Sequence, residues 1–182
     1  MHCLCQGHEN GAPGYVTRVK LDADAAHGVT LMATKDSNGK ALPNFDGSTW
    51  DPFARKLLFT SEAGCNGGVW QGDSSYSSDA SLQDVSGALG HGGYEGVQTA
   101  SNGSVWLVED VGGAKAGPDG RSKQANSYVY RFTPTVTGDL TKGVLQALQV
   151  PGSDGQPMTT KSDPFGTAPK VLHTYAASFR PH

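Results

Sequence analysis

Apolar and polar residues alternate along this chain in short runs, separated by turn-forming residues. Gly14 to Leu21 (GYVTRVKL) sets apolar positions against polar and basic ones. Leu57 to Thr60 (LLFT), Val69 to Gln71, Ser104 to Val108 (SVWLV), Tyr128 to Phe132 (YVYRF) and Val144 to Val150 (VLQALQV) follow. Alternation of this kind, rich in β-branched and aromatic residues, predicts strands. Asn-Gly pairs at Asn10-Gly11, Asn38-Gly39, Asn66-Gly67 and Asn102-Gly103 predict tight turns between them. Only Ala23 to His27 and Ser81 to Leu89 could pass for helix. The pattern predicts an all-β chain.

The runs also repeat. LLFTSE ends at Glu62 and SVWLVE ends at Glu109, 47 residues later. Each leads through a Gly-rich loop into an aromatic strand, GVW after Glu62 and YVYRF after Glu109. Upstream, GHENG places Glu9 ahead of GYVTRV, 53 residues before Glu62. A strand ending in Glu, a loop and an aromatic strand, recurring about every 45–50 residues, is the footprint of β-propeller blades. An irregular β-sandwich would present similar strands. At this period the chain holds about three to four blades, where closed propellers have about 4–8. Residues 1–182 are therefore expected to form a single incomplete propeller domain, truncated at both ends. It opens in mid-blade at Glu9, with no strand pair ahead, and ends on a run (VLHTYAASF) that reads like the start of another strand. The Ser- and Gly-rich stretches Asp73 to Asp84 and Gly112 to Ser127 are expected to be loops on one rim, and Pro151 to Pro164 is similar in composition.

Composition narrows the partners. The 25 glycines and the 17% share of charged residues favour short strands and turns over exposed helices. A net charge of −3 and a pI near 6.0 offer no basic field for nucleic acid or a membrane surface. An anionic ligand would need a metal ion or a few Arg and Lys side chains. No apolar run reaches the roughly 18 residues of a membrane span. His2, Cys3 and Cys5 interrupt what would be the basic and apolar stretches of a signal peptide. The cysteines, Cys3, Cys5 and Cys65, are odd in number and lack zinc-ligand spacing.

The repeated glutamates are the leading chemical candidates. A Glu at a strand end followed by a glycine-rich loop puts a carboxylate at a loop mouth, and several blades doing so would converge their carboxylates on one end of a channel. Such a cluster repels itself unless protons or cations compensate. Hard cations with oxygen ligands answer that need, Ca²⁺ or Mg²⁺ first, iron or manganese next. The alternative for Glu9, Glu62 and Glu109 is a solvated loop carboxylate. Glu95 lies in GHGGYEGVQ, where the glycines allow a sharp bend or close approach to a ligand. Asp110 is either a further ligand or a turn residue. His8 and His91 flank these acids and are hydrogen-bonding partners more readily than ligands. Arg18 and Arg131 sit in aromatic strands, in positions suited to blade ion pairs. No nucleophile elbow, Walker A loop or H-E-x-x-H motif is present, so metal-assisted chemistry is the route left open.

QGHENGAPGYVTRVKLD, GSTWDPFARKLLFTSEAG, GGYEGVQTASNGSVWLVEDVGG and NSYVYRFTP, taken in this order, resemble the DUF839 proteins, relatives of the PhoX alkaline phosphatases. The resemblance runs from about Gln6 to Val150. It implies a six-bladed propeller in full-length members and a central cluster of calcium and iron, held by acidic side chains, that hydrolyses phosphate monoesters. GHENG resembles an Asn-His-Glu segment and implies Glu9 as a ligand, TSEAG a Cys-Glu-Glu segment that implies Glu62, and YEGVQ a Pro-Glu-Asp-Ile segment that implies Glu95. Three positions depart from that pattern. Ser61 stands where the resemblance puts an iron-ligating Cys, Ala63 replaces the second Glu, and Gly96 replaces the Asp.

The reading that follows is a metal-dependent phosphatase-like hydrolase with Ca, and iron weakened by Ser61, acting on a phosphate ester or other small anionic ligand. The alternative is a non-catalytic, Ca-stabilised propeller module that binds a ligand or partner. On either reading the remaining blades are needed to complete the ring, so the chain alone is expected to be incomplete as an enzyme. The relatives named by the resemblance are generally exported.

Overall fold

The computed structural model describes residues 3–9, 13–74, 82–112, 115–116, 122–123, 127–149 and 178–181. The chain is all-β, as its alternation predicts. Among the described residues three antiparallel sheets carry the architecture, and none closes on itself. The first joins β1 (Cys3–Gly7), β2 (Val16–Lys20) and β3 (Val29–Ala33) in that order. The second joins β4 (Ser48–Asp51), β5 (Lys56–Ser61), β6 (Gly68–Gly72) and β7 (Gln83–Asp84).

The third sheet contains β8 (Tyr94–Thr99), β9 (Val105–Glu109), β12 (Val129–Pro134), β13 (Gly143–Gln149) and β14 (Ser178–Pro181), from one edge to the other. A two-stranded ladder, β10 (Lys115–Ala116) with β11 (Ser122–Lys123), lies in the insertion expected to be loop. The Asn102-Gly103 turn joins β8 to β9, with Gly103 at φ +80° where a side chain would be strained.

Two apolar layers hold the sheets together. Between the first and second sheets lie Val16, Met32, Ala33, Phe45, Phe59 and Trp70. Between the second and third lie Leu58, Val69, Leu89, Val105, Leu107 and Phe132. Leu58 and Phe59 are neighbours in β5, so their side chains point to opposite faces and the second sheet is covered on both. That two-sided burial is why LLFT reads as a continuous apolar run rather than an alternating one. The second and third sheets meet most closely at β8, the first strand of the third. β4 and β5 lie against β8, whereas the one-turn helix α1 (Ser86–Leu89) stands between β6 and β13.

Several expectations need correction. Of the two stretches that could pass for helix, Ala23 to His27 forms turns and the second holds only the single turn of α1. A strand, β1, precedes Glu9, and Glu95 lies inside β8 rather than before it. The Asn10-Gly11 turn and Pro151 to Pro164 fall outside the described residues. Among the described residues no helix is long and apolar enough to cross a membrane.

Candidate metal centre

Glu62, Glu95 and Asp110 converge. Each offers a carboxylate oxygen, and these atoms lie within 4.8 Å of one another. Glu62 is the residue after β5, Asp110 the residue after β9, and Glu95 the second residue of β8. All three are exposed at the loop ends of their strands.

Local geometry explains how they meet. Tyr94 pairs with Glu109 and Gly96 with Val108, so Glu95 is the extra residue of a β-bulge. A bulge changes the phase of the strand. Tyr94 and Val97, three residues apart, therefore both reach the core, while Glu95 is turned out to the carboxylate group. The glycine loop before β8 then threads between the other two acids. The Asp110 amide donates to the Gly93 carbonyl at 2.9 Å. A β-carbon on Gly93 would lie 3.4 Å from the Glu62 carbonyl oxygen and 3.7 Å from that of Asp110.

Glu62 stands in the field of its acidic neighbours. The Glu62 carboxyl is held above its ordinary value of 4.5. Partial withdrawal from water is the first cause, followed by the negative charges of Asp46, Asp110, Glu95 and Glu9. Each neighbour disfavours the charged form of Glu62, and no positive charge among the described residues offsets them. The ion pairs among the described residues, Asp24 with His27 and Lys56 with Asp73, lie elsewhere.

Beside the group is a cavity of about 500 Å³, lined by Glu9, Gly14, Leu42, Asp46, Ser61 and Glu62 among others. Glu9 and Asp46 also line a second hollow of about 360 Å³ with His8 and Tyr15. Glu9 thus stands near Glu62 through the cavity and its field, without joining the tight trio.

The remaining candidates are engaged otherwise. Glu109 accepts a hydrogen bond from the Tyr130 hydroxyl at 3.1 Å and one from the Tyr128 amide at 3.2 Å. Burial and the Glu109 charge together push the Tyr130 and Tyr94 hydroxyls well above their ordinary range. His91 Nδ1 donates to the Gly67 carbonyl at 2.9 Å. His8 stacks on Tyr15 with ring centres 4.2 Å apart, and its Nε2 meets the Thr17 hydroxyl at 2.8 Å. Arg131 donates to Gln146 across the third sheet, and Arg18 stands in β2. Ser61 is buried at the cavity edge.

Asp46 is the acid that the strand-end rule overlooks. The signal for it is present in the chain: Asp46-Gly47 and Glu95-Gly96 are acid–glycine pairs 49 residues apart, each at the leading strand of a sheet. No protein-family model, curated protein or solved structure matches the chain.

Proposed function

We propose that this chain carries part of the centre of a metal-dependent hydrolase acting on phosphate esters, built on a propeller-like fan of sheets of the PhoX kind. The convergence of Glu62, Glu95 and Asp110 carries the reading. The approach of β4 and β5 to β8, with α1 filling the gap between β6 and β13, supports a radial arrangement of the second and third sheets.

The donor set fits a hard cation. It is all carboxylate oxygen, the nearby imidazoles are held by Thr17 and Gly67, and the residue in place of the expected thiol is Ser61. Ca²⁺, Mg²⁺ and Mn²⁺ suit such donors, and a thiolate-bound iron does not. A cation bound there would supply polarisation of a phosphoryl oxygen and a more acidic water. Glu62, Glu95 and Asp110 would hold it, Glu9 and Asp46 add negative field, and the adjoining cavity with its Leu42 and Pro43 wall would admit a small ester.

The buried Ser61, in place of a metal-binding thiol, favours a second reading, a calcium-stabilised binding module without catalysis. Isothermal titration of inorganic phosphate into the chain, with and without Mn²⁺, separates the two. The hydrolase reading expects phosphate to bind only with Mn²⁺ present, and to be lost in Glu62→Gln. Binding of Mn²⁺ without phosphate would turn the reading to the module, and binding of neither Mn²⁺ nor Ca²⁺ would contradict both.

A further inference from the structure

We infer that the cavity beside the acidic trio is an ammonium pocket, which takes the positively charged amine of a small organic molecule. Joined to the hydrolase reading, on which this one step rests, the amine belongs to the alcohol half of the ester. The substrate class is then a phosphate ester of an amino alcohol. Amine binding itself does not depend on that reading.

The lining carries the inference. Glu9, Asp46 and Glu62 make the cavity of about 500 Å³ acidic, and no Lys, Arg or His lines it among the described residues. Pro13, Leu42 and Pro43 supply apolar surface. Ser61 lines it too, only 1% exposed, and its hydroxyl makes no hydrogen bond to a described residue. A buried hydroxyl of this kind calls for a partner. Glu9 and Asp46 also line the second hollow, where Tyr15 and His8 present stacked rings with planes 20° apart. The face of an aromatic ring attracts a cation that comes within about 6 Å.

The backbone holds these groups around the opening. The Phe45 amide donates to the His8 carbonyl at 2.9 Å, which sets their neighbours Asp46 and Glu9 on the same hollow. The Gly14 amide donates to the Leu42 carbonyl at 3.0 Å and brings Tyr15 to that rim. Thr17, 8% exposed, meets His8 Nε2 at 2.8 Å and keeps the imidazole against Tyr15.

The chemistry separates an amine from a bare ion. Glu62, Glu95 and Asp110 stand within 4.8 Å of one another, a grip suited to a metal. Glu9 and Asp46 lie outside it, around a space partly walled by carbon. A bare cation gains nothing from Pro13, Leu42 and Pro43, whereas the carbon chain of an amine is withdrawn from water there. An ammonium group only donates hydrogen bonds, and Glu9, Asp46 and the Ser61 hydroxyl can all accept them. Glu62 belongs to both the cavity and the trio, so a molecule with its amine in the cavity has its other end within reach of the metal.

The test is NMR titration of the full chain with ethanolamine, and with ethylene glycol as the neutral match. Divalent metal is left out, and about 0.15 M NaCl screens loose charge pairing. Ethanolamine is expected to saturate a site and ethylene glycol to leave the spectrum unchanged. Asp46→Asn and Glu9→Gln should each weaken amine binding by roughly tenfold, and Tyr15→Leu by about threefold. Glu9 is exposed, so its variant should melt as the wild type does. Equal responses to amine and glycol, or unchanged affinity in Asp46→Asn and Glu9→Gln, would overturn the pocket. With Mn²⁺ present, phosphoethanolamine should bind more tightly than 2-hydroxyethyl phosphate. Amine binding without any phosphate binding would leave the pocket standing and remove the hydrolase reading. Phosphate binding with no preference for the amine would do the reverse.

Discussion

Gly47 and Glu95 lie so close that a β-carbon on Gly47 would stand 2.6 Å from the Glu95 carbonyl oxygen. The same atom would meet the Thr60 hydroxyl at 2.5 Å and the Gly96 α-carbon at 3.0 Å. This is backbone against backbone, where the second sheet meets the third, and it sets how near Glu95 comes to Glu62. Gly47→Ala is expected to force the sheets apart. Overpacking of this kind costs about 1–3 kcal/mol. Urea denaturation should show the lower midpoint, and cation affinity should fall with it. Unchanged stability would mean that the contact is not limiting.

Glu109 ties β9 to β12 rather than joining the acidic trio. Tyr130→Phe removes its hydroxyl donor and is expected to cost about 1–2 kcal/mol. The denaturation midpoint should drop with the slope unchanged. Cation binding should survive in Glu109→Gln, whose side chain can still accept from Tyr130, and should be lost in Asp110→Asn. Equal losses in the two neighbours would return Glu109 to the ligand set.

Much of the fold is legible in the sequence, and the parts that are not have local causes. The runs around Val16, Leu58, Val69, Leu107, Tyr130 and Val144 lie where strands form, because each has a simple face pattern or a turn that bounds it. β3 escapes because Met32 and Ala33 are both buried. The register shifts there, between Val16 and Thr17 of its partner strand, and the shift breaks the alternation. Glu62 and Glu109 hold the same place in the sequence repeat, yet their partners differ. Glu62 lies beyond its strand among acids, while Glu109 is still paired within β9 and is taken by Tyr128 and Tyr130. Those tyrosines lie about twenty residues away, and spacing alone does not reveal them. Asp46 was within reach through its acid–glycine pair, but its meeting with the group depends on the packing of one sheet on the next.

The pH dependence of stability should carry the signature of Glu62. Its carboxyl is raised in the folded protein, so the folded state binds that proton more tightly than the unfolded chain. The associated stability is present below the ordinary value of 4.5 and is lost as pH rises through the raised one. In chelator, the melting temperature of the wild type is expected to fall over this window more than that of Glu62→Gln. Saturating Ca²⁺ should offset the fall. Parallel curves for the two proteins would show that the field of Asp46, Asp110, Glu95 and Glu9 is screened away.

Calcium titration of the chain, followed by calorimetry, bears most directly on the central claim that Glu62, Glu95 and Asp110 together hold a hard cation. The wild type is expected to bind Ca²⁺. Because affinity follows the count and charge of oxygen ligands, Glu62→Gln, Glu95→Gln and Asp110→Asn should each weaken binding by roughly tenfold or more, and Glu109→Gln should not. A wild type that binds no Ca²⁺, or the same affinity in all four variants, would contradict the account.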